Sequence, residues 1–264
     1  MAHRQFGIPS ESQMIEIRDV SQIYAANDQP FLAVDRVNFS IGEGEFVCLL
    51  GHSGCGKTTL LHLLAGFLRP TDGKILIDGK EAGKPSTERS VVFQEYALFP
   101  WLTVLQNVCF GLRSLEHDKR EREARAIRAL QRVQLANCAD RYPHELSGGQ
   151  RQRVAVARSL VLRPKILLMD EPFAAVDALT RAELQTNLLS LWKESGVTIL
   201  FVTHNIDEAI FLAQRVAVMR RGAIAGIRQI ALRYPRFRSS TEFSAEYRAI
   251  EELLYGNSEE LMEN

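Results

Sequence analysis

The sequence predicts an α/β protein with a mixed β-sheet and a helical segment inserted in the middle of the chain. Residues 45–50 (EFVCLL) form a short apolar run, typical of a buried strand, that leads through a glycine-rich loop into an apolar helical pattern. Residues 166–169 and 197–202 have the same character, and the helical pattern of residues 179–193 separates them. Residues 95–162 show several helical patterns and no strand pattern. Strands therefore come from both ends of the chain, around a helical insertion.

The remaining patterns complete an organisation in three parts. Further strands are predicted at residues 14–17, 31–41, 74–77, 90–93 and 216–219, and further helices at residues 60–67, 116–133 and 242–254. Residues 14–94 and 164–222 are predicted to form one discontinuous α/β core. Residues 95–163 form a helical subdomain, and residues 223–264 form a C-terminal extension with a short strand and a helix.

The composition is that of an ordinary globular protein and excludes several classes of function. Of 264 residues, 46% are hydrophobic and 24% charged, and 32 Lys and Arg residues balance 32 Asp and Glu residues. Nucleic-acid binders carry a concentrated basic excess, so no nucleic-acid partner is predicted. Residues 1–12 lack the apolar stretch of a signal peptide, and no segment approaches the roughly 18 apolar residues of a membrane span. We therefore expect a cytoplasmic chain that serves a membrane only through partners.

Residues 51–58 fit the phosphate-loop pattern G-x-x-x-x-G-K-[ST] between a predicted strand and a predicted helix. Glycines allow backbone N–H groups to turn inward around a β-phosphate, and the helix that begins near Lys57 adds its positive end. Lys57 can reach the β- and γ-phosphates, and the Thr58 hydroxyl can ligate Mg²⁺. The alternative is a plain glycine-rich turn before a helix. The predicted phosphate-binding residues are Gly51, His52, Ser53, Gly54, Cys55, Gly56, Lys57, Thr58 and Thr59.

A second set of chemical groups ends the apolar run of residues 166–169. Asp170 and Glu171 follow it directly, at the edge of a parallel sheet where ligands bind. We expect Asp170 to hold Mg²⁺ and Glu171 to polarise an attacking water molecule. In a sequence without the phosphate loop, the simpler interpretation would be that these carboxylates only contact solvent at the end of a strand.

Residues 146–150 (LSGGQ), which we term the signature loop, precede an arginine-rich helical pattern. A serine and two glycines at a helix N-terminus predict a second anion site. One nucleotide rarely needs two cradles, so the second one is expected to serve a nucleotide bound to another copy of the chain. The alternative is an N-capped helix after a glycine turn. The residues concerned are Ser147, Gly148, Gly149 and Gln150.

The phosphate loop, the signature loop and the Asp170-Glu171 strand end, in this order and spacing, resemble the ATP-binding cassette (ABC) ATPases, from about Ile15 to Gly222. The resemblance implies a P-loop NTPase core with a mixed β-sheet and an inserted helical subdomain. It also implies ATP and Mg²⁺ as cofactors, and ATP hydrolysis coupled to transmembrane transport.

The resemblance also implies roles for individual residues. Tyr24 matches the aromatic residue that stacks on adenine. Gln94 matches the glutamine that contacts Mg²⁺ and the attacking water and senses the membrane partner. Asp177 matches the aspartate that couples two sites across a dimer, although residues 174–177 read Ala-Ala-Val-Asp where the family prefers Ser-Ala-Leu-Asp. His204 matches the switch histidine that contacts the γ-phosphate and acts with Glu171 in catalysis.

Two further segments resemble the ATPases of nitrate, sulfonate and taurine importers. They are residues 98–104 (LFPWLTV), which we term the aromatic segment, together with residues 106–108, and residues 234–238 (YPRFR). The aromatic segment could also be the insertion's own core. The importer resemblance implies a homodimer that lies at the inner face of the cell membrane, bound to integral membrane permease subunits. It also implies an extracytoplasmic solute-binding protein as an indirect partner.

Several alternatives stay open at this point. Soluble ABC ATPases of translation or DNA repair usually carry two cassettes or a long coiled-coil insertion, and this chain has neither. Kinases and GTPases lack the signature loop, and no guanine-reading Asn-Lys-x-Asp is present. Only the aromatic segment disfavours an exporter. The solute is not encoded in this subunit, so nitrate, sulfonates, taurine and uncharged aromatic or pyrimidine compounds all remain.

Overall fold

The computed structural model describes residues 13–26, 29–113, 115–116, 118–174 and 176–256, so the last eight residues of the predicted extension (257–264) lie outside the described residues. Within these ranges the chain forms ten β-strands and seven α-helices. The strands are β1 (Gln13–Ala26), β2 (Gln29–Gly42), β3 (Phe46–Leu50), β4 (Asp72–Ile77), β5 (Lys80–Glu81), β6 (Arg89–Val92), β7 (Ile166–Asp170), β8 (Thr198–Thr203), β9 (Arg215–Arg220) and β10 (Ala223–Gln229). The helices are α1 (Lys57–Ala65), α2 (Val104–Leu112), α3 (Lys119–Arg132), α4 (Gly148–Leu160), α5 (Ala178–Ser195), α6 (Ile206–Leu212) and α7 (Thr241–Tyr255).

The chain divides into two compact units. The first comprises the residues up to Pro85 and from Thr198 onward, and the second comprises Ser86–Val197. The predicted boundaries of the core, the helical subdomain and the extension remain a prediction. None of the helices in the described ranges is long and apolar enough to cross a membrane.

The first unit contains two groups of strands. β1 pairs with β2 and with β4 in an antiparallel sheet of order β2-β1-β4-β5. β3 lies between two parallel neighbours, β8 and β9, and β10 adds an antiparallel edge to β9. All residues of β3 and β8 are buried, as the two continuous apolar runs predict for strands that are covered on both faces of the sheet.

β1 is longer than the strand predicted at residues 14–17, since it pairs with β2 from Gln13 to Ala26. Register shifts lie between Ile17 and Val20, and again between Val20 and Gln22. Each shift moves following side chains to the opposite face of the sheet, which breaks the alternation that a sequence pattern can detect.

The second unit combines a short parallel pair, β6 and β7, with helices α2 to α5. α2 packs against α3 and α4, and α4 packs against α5. The apolar contacts come from one stripe on each helix, for example Val108 of α2, Leu130 of α3 and Val154 of α4, which are fully buried. The predicted helical character of the middle of the chain is therefore confirmed for the residues described.

Asn107 of α2 is a fully buried polar residue that organises the aromatic segment. Its amide oxygen accepts from the backbone N–H of Phe99 at 2.8 Å. Its amide nitrogen lies within 3.0–3.1 Å of three carbonyl oxygens, which belong to Phe99, Leu102 and Thr103. Backbone groups that are shielded from water need hydrogen-bond partners, and a single asparagine supplies them here for the turn before α2.

We expect Asn107→Leu to lower the free energy of unfolding by about 3 kcal/mol, because it leaves buried backbone groups without partners. Urea unfolding followed by tryptophan fluorescence measures this change, since both tryptophans, Trp101 and Trp192, belong to the second unit. Asn137→Leu is the control at an exposed asparagine of the same unit, and it should change stability little. Equal losses in the two variants would contradict the assigned role of Asn107.

Candidate active site

The phosphate loop of the first unit connects the end of β3 to the start of α1. The Lys57 side chain is buried, with 4% of its surface exposed. Its Nζ donates to the carbonyl oxygens of Gly51 at 2.7 Å and His52 at 2.8 Å. The Cys55 N–H donates to the same His52 carbonyl at 3.3 Å. The ammonium group is thus held in the concave side of a closed loop.

Glycine is required in this loop by both conformation and space. Gly54 and Gly56 have φ angles of 79° and 105°, in the region that side chains rarely adopt. A Cβ at Gly56 would also lie 2.2 Å from the carbonyl oxygen of Ala33 in β2. The turn after β9 holds the other side, where the Gly222 N–H donates to the Cys55 carbonyl at 3.0 Å. Surrounding strands therefore fix the shape of the loop.

His204 lies at the same sheet edge as the start of the phosphate loop. Leu50 and Thr203 are partners in the parallel β3–β8 pair, so the C-terminal ends of the two strands lie side by side. The Gly51 N–H donates to the Thr203 carbonyl at 3.4 Å. His204 is exposed directly after β8. The structure thus brings His204 next to the phosphate loop.

Two hydrogen bonds fix the backbone on either side of His204. The Asn205 side chain accepts from the Glu208 N–H at 3.1 Å and caps the N-terminus of α6. The Thr203 hydroxyl donates to the buried Glu208 carboxylate at 2.6 Å and accepts from the Asn205 N–H at 3.0 Å. These hydrogen bonds anchor the turn that carries His204.

Tyr24, which is predicted to stack on adenine, also belongs to the first unit. Its hydroxyl lies 3.4 Å from the Thr59 Oγ1 in the first turn of α1. Tyr24 is paired across the hairpin with Phe31, and both rings are partly exposed. An open aromatic face therefore lies next to the helix that follows the phosphate loop. Of the other predicted loop residues, His52, Ser53 and Thr58 are exposed.

In the second unit, Gln94 and the carboxylates of Asp170 and Glu171 lie at the C-terminal ends of the paired strands β6 and β7. Val92 and Met169 are the last paired residues of these parallel strands. Gln94 is exposed two residues later, whereas Asp170 is buried at the end of β7. Glu171 has a φ of 42°, which is uncommon for a residue with a side chain. Strain of this kind clusters at functional sites, and here it sets the direction of the Glu171 side chain.

The signature loop leads into α4 through a reciprocal capping box. The Ser147 hydroxyl accepts from the Gln150 N–H at 3.2 Å, and the Ser147 N–H donates to the Gln150 side chain at 3.0 Å. A Cβ at Gly149 would lie 2.4 Å from the Thr180 Cγ2, so this glycine permits close packing of α4 on α5. Gly148 is the first residue of α4. The N-capped helix is present, and the anion-binding role of the four predicted residues remains a prediction.

Asp177 caps the N-terminus of α5, where its carboxylate accepts from the Thr180 N–H at 3.0 Å. This hydrogen bond lowers the pKa of the exposed Asp177 carboxyl below its ordinary value. Asp177 therefore remains ionised at neutral pH while it fixes the start of a helix. Ala175, in the same loop, lies outside the described residues.

Arg158 of α4 is a site-supporting residue that the sequence analysis missed. Residues Tyr96 and Ala97, just after Gln94, have φ angles of 56° and 45°. The Arg158 guanidinium donates to the carbonyl oxygens of Ala97 at 2.7 Å and Tyr96 at 3.1 Å. Arg151, two helical turns earlier, lies over the Tyr96 ring. The seven-residue spacing of these arginines on one face of α4 was the available signal.

The aromatic segment presents rings at the surface of the second unit. The Phe99 ring lies 4.5 Å from the Phe110 ring and 5.7 Å from the Trp101 ring. Trp101 is 71% exposed and Phe110 is 43% exposed. The segment is therefore only partly core, and clustered exposed aromatic rings are typical of protein interaction surfaces.

These features can be compared with known proteins. The family profile described as ABC transporter matches residues 34–174. The chain belongs to the ABC transporter family. This ABC ATPase is 46% identical over 218 residues to the bicarbonate transport ATP-binding protein CmpD of Synechocystis sp., which covers 82% of this chain and 77% of that protein. It is 44% identical over 243 residues to the nitrate import ATP-binding protein NrtC of Synechococcus elongatus, covering 91% of this chain and 34% of NrtC.

The fold of this ABC ATPase also matches a solved cassette. The dimeric post-hydrolysis structure of the ATP-binding cassette MJ0796, bound to ADP and Pi, aligns with a TM-score of 0.76 and 33% identity. The alignment covers 83% of this chain and all of that one. The predicted fold class is confirmed, and the chain is a nucleotide-binding ATPase that couples ATP hydrolysis to transport.

We expect Gly56→Ala to weaken nucleotide binding at least about tenfold, or about 1.4 kcal/mol, because a Cβ at Gly56 forces the loop away from Ala33. Titration with a fluorescent ATP analogue measures the affinity. Gly79→Ala is the matched control, since Gly79 also has a positive φ of 71° but no atom within 4 Å of an added Cβ. Unchanged affinity in Gly56→Ala would show that the loop tolerates the displacement.

Proposed function

We propose that this ABC ATPase energises an importer of a small anion or small organic solute. The observation that carries the importer assignment is the aromatic cluster of Phe99, Trp101 and Phe110, close in sequence after Gln94, in which Trp101 and Phe110 are exposed. A surface of this kind fits an apolar helix from a membrane permease. The import and transport roles in the names of NrtC and CmpD support the same assignment.

The phosphates of ATP are bound by the phosphate loop, with the Lys57 ammonium at the β- and γ-phosphates and Tyr24 against the adenine. Mg²⁺ would be held by Thr58, Asp170 and Gln94. These residues supply hydroxyl, carboxylate and amide oxygens, the hard donors that Mg²⁺ prefers. When bound, Mg²⁺ neutralises charge on the transferred phosphoryl group.

Hydrolysis depends on three residues of this chain, Glu171, His204 and Gln94. Glu171 accepts a proton from the attacking water, and its strained backbone supports a fixed direction for the carboxylate. His204 donates a hydrogen bond to the γ-phosphate from the turn held by the Asn205 cap. Gln94 orients the water and connects the site to the aromatic segment.

Two copies bind two ATP molecules between them. Ser147, Gly148, Gly149 and Gln150 of each copy face the nucleotide of the other, and Asp177 links the two sites. The dimeric MJ0796 structure supports this arrangement. Loss of the γ-phosphate removes the bridge between copies, and a membrane permease senses the resulting change between two states. An extracytoplasmic solute-binding protein delivers the solute, and the ATPase lies at the inner face of the membrane.

We expect Glu171→Gln to abolish ATP turnover and to accumulate an ATP-bound dimer, because the amide cannot accept the proton of the attacking water. Phosphate release measures turnover, and size-exclusion chromatography with multi-angle light scattering at saturating ATP measures the dimer. Glu194→Gln, at an exposed glutamate of α5, is the control and should turn over ATP normally. A monomeric Glu171→Gln variant under saturating ATP would contradict the shared-nucleotide dimer.

The solute is proposed to be a small anion such as nitrate, bicarbonate or a sulfonate. The test is a pull-down of tagged Glu171→Gln from detergent-solubilised membranes with ATP present, followed by mass spectrometry. A multi-span permease is the expected partner, and uptake of labelled nitrate, bicarbonate and taurine into vesicles with that permease then identifies the solute. Recovery of ribosomal or DNA-repair proteins, or ATP-driven export from the vesicles, would reject the importer assignment.

A further inference from the structure

The C-terminal end of α6 is covered by residues 232–236, which we term the tail segment. α6 has only seven residues, Ile206–Leu212, and its last carbonyl groups have no partners within the helix. Buried carbonyl groups at such a helix end need hydrogen-bond donors from elsewhere in the fold. The tail segment supplies them with two side chains.

Tyr234 and Arg236 donate to three carbonyl groups at this helix end. The Tyr234 hydroxyl donates to the Leu212 carbonyl at 2.7 Å. The Arg236 Nη1 donates to the Ala213 carbonyl at 2.6 Å and also to the Ile210 carbonyl. Arg236 is 6% exposed, so these bonds are protected from water.

The choice of side chains suits the end of a helix. A cation is favoured there by the partial negative charge of the helix dipole, and the Arg236 guanidinium also lies 4.1 Å from the centre of the Tyr234 ring. The Arg236 Nε donates to the Leu232 carbonyl at 3.0 Å, which fixes the tail segment itself. Burial raises the pKa of Tyr234 to about 12, so its hydroxyl remains a donor at neutral pH.

The N-terminal end of α6 lies close to His204 in the chain, because only the capping residue Asn205 separates His204 from the first helical residue, Ile206. The helix spans about 10 Å over two turns, so a displacement at one end is transmitted to the other. We propose that Tyr234 and Arg236 are positioning residues for His204. They hold α6 so that its N-terminal turn places His204 for contact with the γ-phosphate. This inference rests on the role of His204 given under the proposed function.

The test measures ATP hydrolysis by Arg236→Met, Arg236→Lys and Tyr234→Phe. We expect Arg236→Met to lower kcat about tenfold with little change in KM, because a misplaced group affects the chemical step more than binding. Arg236→Lys should restore part of the rate, since an ammonium group still reaches a carbonyl oxygen. Arg233→Met, at an exposed arginine of the same segment, is the control and should leave kcat unchanged.

The deciding measurement repeats Arg236→Met and Tyr234→Phe in a His204→Ala background under single-turnover conditions. If the two residues act through His204, neither substitution lowers the rate further in that background. A further loss equal to that in the natural chain would assign them a general structural role and overturn the inference. If His204→Ala alone leaves the rate unchanged, the proposed role of His204 fails first, and the inference fails with it.

Discussion

The buried Lys57 ammonium and its two carbonyl partners form the interaction on which the first unit's chemistry depends. A cation removed from water is costly unless polar groups surround it, and here the carbonyl dipoles of Gly51 and His52 do so. Those dipoles point inward only because the loop turns tightly, and the turn requires glycine at Gly54 and Gly56. The geometry of the lysine therefore depends on the glycines, and the geometry of the glycines depends on the flanking strands.

In the second unit, the segments next to the predicted site residues combine uncommon backbone conformations with hydrogen bonds. Glu171, Tyr96 and Ala97 all have positive φ angles, each within three residues of a parallel strand end or of Gln94. Such conformations persist only where the surroundings hold them. Arg158 provides that support for Tyr96 and Ala97 through their carbonyl oxygens. Both units thus use cations to fix main-chain carbonyl groups, with the buried Lys57 in one and the partly buried Arg158 in the other.

Most of the fold could be predicted because it depends on local patterns. Apolar runs bounded by glycine-containing loops predict β3, α1, β7 and β8, and the site motifs lie at the ends of these elements. The far part of β1 could not be predicted because its bulges break the alternation of side chains. The spacing of Arg151 and Arg158 places them on one face of α4, but the contacts of Arg158 and Arg236 with their backbone partners could not be predicted. They join a side chain to backbone carbonyl groups about 20 to 60 positions away, and such contacts leave no periodic signal in a sequence.

The way in which Arg158 holds the chain has a consequence for how this surface can evolve. Arg158 donates to the main-chain carbonyl groups of Tyr96 and Ala97, so these two hydrogen bonds do not depend on which side chains the turn carries. The exposed rings of Trp101 and Phe110 can therefore be replaced without loss of those hydrogen bonds. In a duplicated gene, the proposed permease contact could therefore change at those rings while the hydrogen bonds from Arg158 stayed intact.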